Sequence, residues 1–155
     1  MLCGVAGAGK TTYAQELEGA GFTRLSVDEE IWRRFGAYGT DYPEQDYERH
    51  QVVAEQAVQA DLERLISERV PIVLDLSLWR RTSRQQYKAL VERHGCEWEL
   101  VYLCLDVDTL AERLRSRAVR RDANAAFPVS PARLTRFLDG FEVPQDEGET
   151  VLRWV

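Results

Sequence analysis

Short apolar runs alternate with longer amphipathic stretches along the whole chain, which predicts strands alternating with helices. Met1-Leu2-Cys3 reads as the start of a first strand, and residues 11–18 as a helix stopped by Gly19-Ala20-Gly21. Residues 22–27 read as a second strand ending at Asp28, followed by a short helix over 29–35. A loop over 36–43 leads into a long helix, about 44–69, with Pro43 suited to its first turn. Tyr47, Val53, Ala57, Leu62, Leu65 and Ile66 mark its apolar side. Residues 70–74 form a buried strand with Asp75 at its end, and residues 81–94 a helix closed by Gly95. Residues 99–105 give the clearest strand, followed by a helix from Thr109 to about Val119. After a polar stretch over 120–128, Ser130-Pro131 opens a helix running to Gly140, and residues 150–154 form the last strand. Strand–helix alternation of this kind predicts an α/β fold with a parallel sheet, in one domain spanning 1–155.

Composition narrows this picture without changing it. With 155 residues, 45% hydrophobic and 30% charged, the chain has enough length to bury a core. No apolar run approaches the roughly 18–20 residues that span a bilayer, and charge and glycine arrive too early for a signal peptide. Cys3, Cys96 and Cys104 lack metal-type spacing and read as reduced core residues, which with the rest predicts a cytoplasmic protein. The net charge of −6 makes a general nucleic-acid partner unfavourable. Oligomeric state stays open, and only three residues precede Gly4, short for a strand of about five or six.

The most specific chemistry lies in Gly4-Val5-Ala6-Gly7-Ala8-Gly9-Lys10-Thr11-Thr12, which fits G-x-x-x-x-G-K-[ST]. Glycines let the backbone curl so that successive N–H groups face a phosphate, and the following helix adds its positive end. Gly4, Ala6, Gly7, Ala8, Gly9, Lys10, Thr11 and Thr12 are thus the expected ATP-binding residues, with Lys10 on the β- and γ-phosphates and Thr11 on Mg²⁺. In open parallel sheets ligands bind beyond the carboxyl ends of the strands, where Asp28 and Asp75 also fall. Asp28 is a candidate general base for a hydroxyl acceptor, or else the cap of the following helix. Asp75, after four apolar strand residues, is either a Mg²⁺-holding carboxylate or the partner of Arg80 or Arg81.

Arg113, Arg117 and Arg121 recur at a spacing of four, so they share one helix face while the helix lasts. Like charges there repel, and want either a phosphoryl group opposite or solvent and acids such as Glu112. Among the aromatics after Asp28, Tyr38 and Tyr42, with Asp41 between them, are candidates for an acceptor pocket, as is Trp79 near Asp75. His50 and His94 carry no assignment.

The loop, the segment Leu25-Ser26-Val27-Asp28-Glu29 and the segment from Val73 to Thr82 together resemble the small P-loop kinases. The branch is that of zeta toxins, chloramphenicol phosphotransferase and the polynucleotide 5′-kinase domain. The resemblance implies a P-loop NTPase three-layer sandwich. Its sheet would be five-stranded and parallel, ordered 2-3-1-4-5, with helices on both faces and an arginine-rich lid over about 113–130. It implies Asp28 as base, Lys10 with Arg117 and Arg121 at the transferring phosphate, and Arg113 and Arg117 on ATP. Polynucleotide kinases carry an arginine three residues after the base; here Ile31 stands there. The expectation is an ATP- and Mg²⁺-dependent kinase acting on a hydroxyl of a small molecule, an antibiotic or a metabolite. The alternatives are a polynucleotide 5′-hydroxyl kinase and a nucleotide-binding ATPase or switch without an acceptor.

Overall fold

The computed structural model describes residues 1–105, 109–110, 112–114 and 131–153, with the side chains of 131–134 excepted. The strands are β1 (Leu2–Cys3), β2 (Thr23–Leu25), β3 (Ile72–Leu74), β4 (Leu100–Cys104) and β5 (Glu149–Arg153). The helices are α1 (Lys10–Gly19), α2 (Val27–Phe35), α3 (Tyr47–Ser67), α4 (Arg81–Arg93) and α5 (Pro131–Asp139). A 3-10 turn, Glu44–Asp46, precedes α3, so the long helix begins three residues later than its sequence predicts. Residues 109–110 and 112–114 are helical, and the rest of the helix expected after β4 lies outside the described residues.

All strand pairs are parallel, but the expected continuous five-stranded sheet is divided. β2 pairs with β3, and β1, β4 and β5 form a second group in that order. The reason is the brevity of β1: its two residues are spent on β4, with Leu2 opposite Val101 and Cys3 opposite Tyr102. On the other side the chain joins the β3 segment through the Gly4 N–H, which donates to the Ser77 carbonyl at 3.2 Å.

Strand side chains alternate between two faces, and the packing follows that alternation. Leu2, Val73, Val101 and Leu103 pack with Ala14 of α1, and with Tyr13, Leu17 and Leu138. Leu74 turns to the opposite face, against Leu62 and Ile66 of α3 and Leu90 and Val91 of α4. Cys3 and Leu100 follow it there, beside Tyr87 and Trp98. Helices therefore cover both faces. Along α3 the buried positions are His50, Ala54, Val58, Leu62, Leu65 and Ile66. Val53, expected on the apolar side, is exposed, because the buried stripe runs one position later in the N-terminal half. All three cysteines are free thiols, but only Cys3 is buried; Cys96 and Cys104 are half-exposed. Burial pushes the Cys3 thiol up to about 11, so it packs as an inert apolar group. Among the described residues no helix is long and apolar enough to cross a membrane.

α4 is fastened by an ion pair buried on both sides. Arg84 (0% exposed) donates through Nε and Nη2 to the two Glu147 carboxylate oxygens, at 2.9 and 2.6 Å, and Glu147 is 1% exposed. Lys88 donates to the Glu147 carbonyl. The Arg84 hydrogen bond holds the Glu147 carboxyl below its ordinary range. Its stabilisation is therefore full above that range and lost as pH falls through the depressed value. Glu147→Gln leaves a buried guanidinium without its charge partner and is expected to cost about 3–5 kcal/mol in urea unfolding. The variant should also lose part of the native protein's acid sensitivity at low pH.

Candidate active site

The Gly4–Thr12 loop turns because glycine stands at its left-handed positions, with φ of +88° at Gly7 and +96° at Gly9. A Cβ at Gly7 would lie 3.2 Å from Leu114 Cγ, so the buried Leu110 and Leu114 close over the loop from above. Gly9 is the N-cap of α1, and neither a side-chain cap nor an acidic residue stands in the first turn. The amides that open a helix have no acceptor within it, and nothing negative here competes with an incoming anion. Lys10 is buried, its Nζ donating to the carbonyls of Gly4 (2.9 Å) and Val5 (3.0 Å). Its ammonium group is thereby laid across the loop rather than out into solvent.

A cleft of about 920 Å³ opens at this loop. Gly4, Ala6, Lys10 and Thr11 line it, together with Asp28, Tyr38, Asp75 and Trp79. Loop chemistry and both strand-end carboxylates thus share one space. Ala8 is instead buried beneath the loop, and Thr12 is exposed outside the lining.

Asp28 occupies the first turn of α2, one residue beyond Val27. Ser26 caps that helix, its hydroxyl accepting the Glu29 N–H at 3.4 Å, so Asp28 is not the N-cap. Its carboxylate, with Tyr38 and behind burial, holds the Tyr42 phenol above its ordinary value.

Asp75 has a partner that the sequence reading missed. Arg24 of β2 donates to Asp75 Oδ2 through Nε (3.1 Å) and Nη2 (2.6 Å), and the two side chains are 2% and 4% exposed. Arg24 also reaches Glu29 at 2.5 Å. The pair follows from strand register. Arg24 lies opposite Val73, and Asp75 comes two residues later, on the same face. Arg80 and Arg81 are not its partners; Arg80 lies 4.7 Å over the Trp79 ring instead.

Two acceptor candidates do not reach the cleft. Tyr42 is buried in the α2–α3 packing with Ile31 and Ala54, its ring edge-on to His50 at 4.6 Å. Phe35 stacks on the same imidazole at 3.8 Å. Asp41 closes its own loop: its Oδ2 accepts the Ala37 N–H at 2.7 Å and lies 2.3 Å from where a Gly36 Cβ would stand. Gly36 is therefore required there, at φ +82°. Tyr38 and Trp79 do line the cleft. Arg113 sits half-buried in the turn at 112–114, outside the lining; Arg117, Arg121 and most of the expected lid lie outside the described residues. Sequence reading also missed the α3 wall, where Glu48, Gln51, Glu55 and Gln59 face the cleft. Their spacing of three and four residues was the available signal.

Residues 1–144 match the AAA domain family AAA_33. The chain belongs to this family. Solved structures similar to this AAA domain include a candidate kinase from Chloroflexus aurantiacus, 20% identical with a TM-score of 0.74. That match covers 99% of this chain and 81% of the other. Chaetomium thermophilum Kti12 in complex with ADP-AlF3 is 17% identical with a TM-score of 0.68, covering 99% and 87%. A gluconokinase from Sinorhizobium meliloti is 18% identical with a TM-score of 0.62, covering 98% and 79%. At these identities the likeness is one of fold. No curated protein matches the sequence.

Arg24 and Asp75 test whether the AAA domain's strand ends are tied as described. Arg24→Met should cost about 3–5 kcal/mol, since it strands the buried Asp75 carboxylate, and Asp75→Leu less, since Glu29 still pairs with Arg24. The double variant should cost clearly less than the two summed, as a urea-unfolding cycle will read.

Proposed function

We propose that this AAA domain is an ATP- and Mg²⁺-dependent kinase that transfers the γ-phosphoryl group to a hydroxyl of a small molecule. The observation that carries the reading is Asp28, a carboxylate that is not its helix's N-cap and that shares one cleft with Lys10 and Thr11. In this reading the loop amides and Lys10 bind the ATP phosphates. The acceptor oxygen bonds to the γ-phosphorus as the bond to the β–γ bridging oxygen breaks. The hydroxyl proton passes to the Asp28 carboxylate, and ADP leaves. The resemblance of the Asp28 segment to the zeta toxin and chloramphenicol phosphotransferase branch supports the same role.

The donor set suits Mg²⁺. Thr11 offers a hydroxyl, and Asp75 a carboxylate whose Oδ2 is engaged by Arg24. No cluster of three or more metal-ligating side chains occurs among the described residues. That fits a cation held by one or two protein oxygens plus substrate phosphates. When bound, Mg²⁺ neutralises charge on the β- and γ-phosphates. Thr11 would hold it directly and Asp75 through water.

Asp28→Asn tests the reading with little change of shape. The expected result is a kcat about 10²–10⁴-fold lower at nearly unchanged KM for ATP, measured as acceptor-stimulated ADP release. Full activity in this variant overturns the assignment of Asp28. Lys10→Met should instead weaken ATP binding by about tenfold or more, read by calorimetry.

A further inference from the structure

A strained backbone position turns one large aromatic side chain out of the core and into the cleft. Leu78 takes φ +42°, a left-handed conformation that residues with a Cβ rarely adopt. Buried contacts hold it there. Its carbonyl accepts Arg84 Nη1 at 2.9 Å, and its side chain packs with Cys3 and Leu100. Leu78 is thus 5% exposed, while the next residue, Trp79, is 38% exposed and lines the cleft. Trp79 is fixed from the end of α5 as well. Its carbonyl accepts the Glu142 N–H at 2.9 Å, and the Glu142 carboxylate accepts the Arg81 N–H at 2.6 Å. A Cβ at Gly140 would lie 2.7 Å from Trp79 Cζ3, so glycine is what lets the chain close against the ring. Arg80, outside the lining, stands 4.7 Å over the same ring. An indole tied in this way keeps one orientation, which a stacking surface needs.

Its place in the cleft says what would meet it. Lys10 Nζ rests on the Gly4 and Val5 carbonyls, and a lysine at this motif position reaches the β- and γ-phosphates. The Gly4 N–H donates to the Ser77 carbonyl at 3.2 Å, two residues before Trp79. Thr12, at the other end of the loop, lies outside the lining. The ring therefore stands on the γ-phosphate side, from which an acceptor would approach. Leu76, Leu78 and Phe141 belong to one cluster there, and with Phe137 they line the cleft without a hydrogen-bonding side-chain group. A saccharide lying on Trp79 would set its rim hydroxyls against these apolar side chains, whereas a flat aromatic ring has none to set. Resting on the kinase reading above, we propose that the acceptor hydroxyl is carried by a molecule with a planar aromatic ring, which stacks on Trp79.

The probes are 2-phenylethanol, 2-cyclohexylethanol and gluconate, each added beside a saturating non-hydrolysable ATP analogue. The Trp79 indole N–H resonance, assigned by its loss in Trp79→Phe, reads occupancy of the ring, and saturation-transfer NMR gives Kd for native protein and variants. The resonance should shift with 2-phenylethanol, which should bind about three- to tenfold more tightly than its cyclohexyl counterpart, with gluconate weakest. Trp79→Leu should raise the Kd for 2-phenylethanol about three- to tenfold and Trp79→Phe less than about threefold. Neither substitution should change the Kd of the ATP analogue. Equal or tighter binding of 2-cyclohexylethanol or gluconate, no binding of 2-phenylethanol, or indifference to Trp79→Leu overturns the inference. Weakened binding of the ATP analogue in these variants makes the ring a structural element or a seat for adenine, and overturns it too. If gluconate is phosphorylated best, the kinase reading stands and this inference falls. If 2-phenylethanol binds with the expected Trp79 dependence but receives no phosphate from Mg-ATP, the ring inference stands and the kinase reading has failed for it.

Discussion

The amino end of α1, which has no side-chain cap, is the constraint on which the site depends. Gly9 begins the helix in a left-handed conformation that offers no side-chain cap, and no acid stands in the first turn. Such an end is costly in isolation and is completed by an anion. Its surroundings serve that end. β1 is buried and delivers the loop, Leu110 and Leu114 cover it, and Lys10 is held across it by two loop carbonyls. The loop is thus supported by core packing on one side and open to the cleft on the other.

Charge is then divided along the cleft. Asp75, the carboxylate nearest in pattern to a metal-holding acid, is already compensated by a buried guanidinium from the neighbouring strand. An exposed pair would contribute little, but this one is desolvated on both sides, so the Asp75 carboxylate requires its guanidinium partner. That requirement ties β2 to the end of β3 beside the loop. Beyond it, the α3 face keeps its carboxylates and amides without a compensating cation among the described lining residues other than Lys10. The positive end of α1 stands at one end of the cleft, and carboxylates gather at the other.

Much of this was legible in the sequence because it is written in local patterns. The loop follows from glycine and lysine spacing, and the α/β arrangement with parallel strands from strand–helix alternation. Asp28 was placed at the carboxyl end of β2, although the helix opens one residue before it and Ser26 supplies the cap. What was hidden depends on pairing between distant segments. Arg24 becomes the partner of Asp75 only once β2 and β3 are in register, and Arg80 and Arg81, close in sequence, lie elsewhere. Asp41 and Tyr42 lie between the cleft-lining Tyr38 and Tyr47 in sequence, but one closes a glycine turn and the other fills the α2–α3 packing. The continuous sheet was expected from family resemblance; a β1 of two residues instead spends its hydrogen bonds on β4. On α3, polar spacing at three and four residues carried a signal that attention to the apolar side passed over.

The most direct test follows the γ-phosphate itself. Native protein would be incubated with γ-labelled Mg-ATP and a series of small hydroxyl compounds (sugars, sugar acids, nucleosides, aminoglycosides and phenicols), and the label divided between an acid-stable phosphate ester and inorganic phosphate. The account predicts that label appears in the ester of one acceptor and that ester formation outpaces hydrolysis. Label released wholly as inorganic phosphate, at a rate no acceptor changes, would contradict it and leave the cleft as the site of a hydrolase or switch.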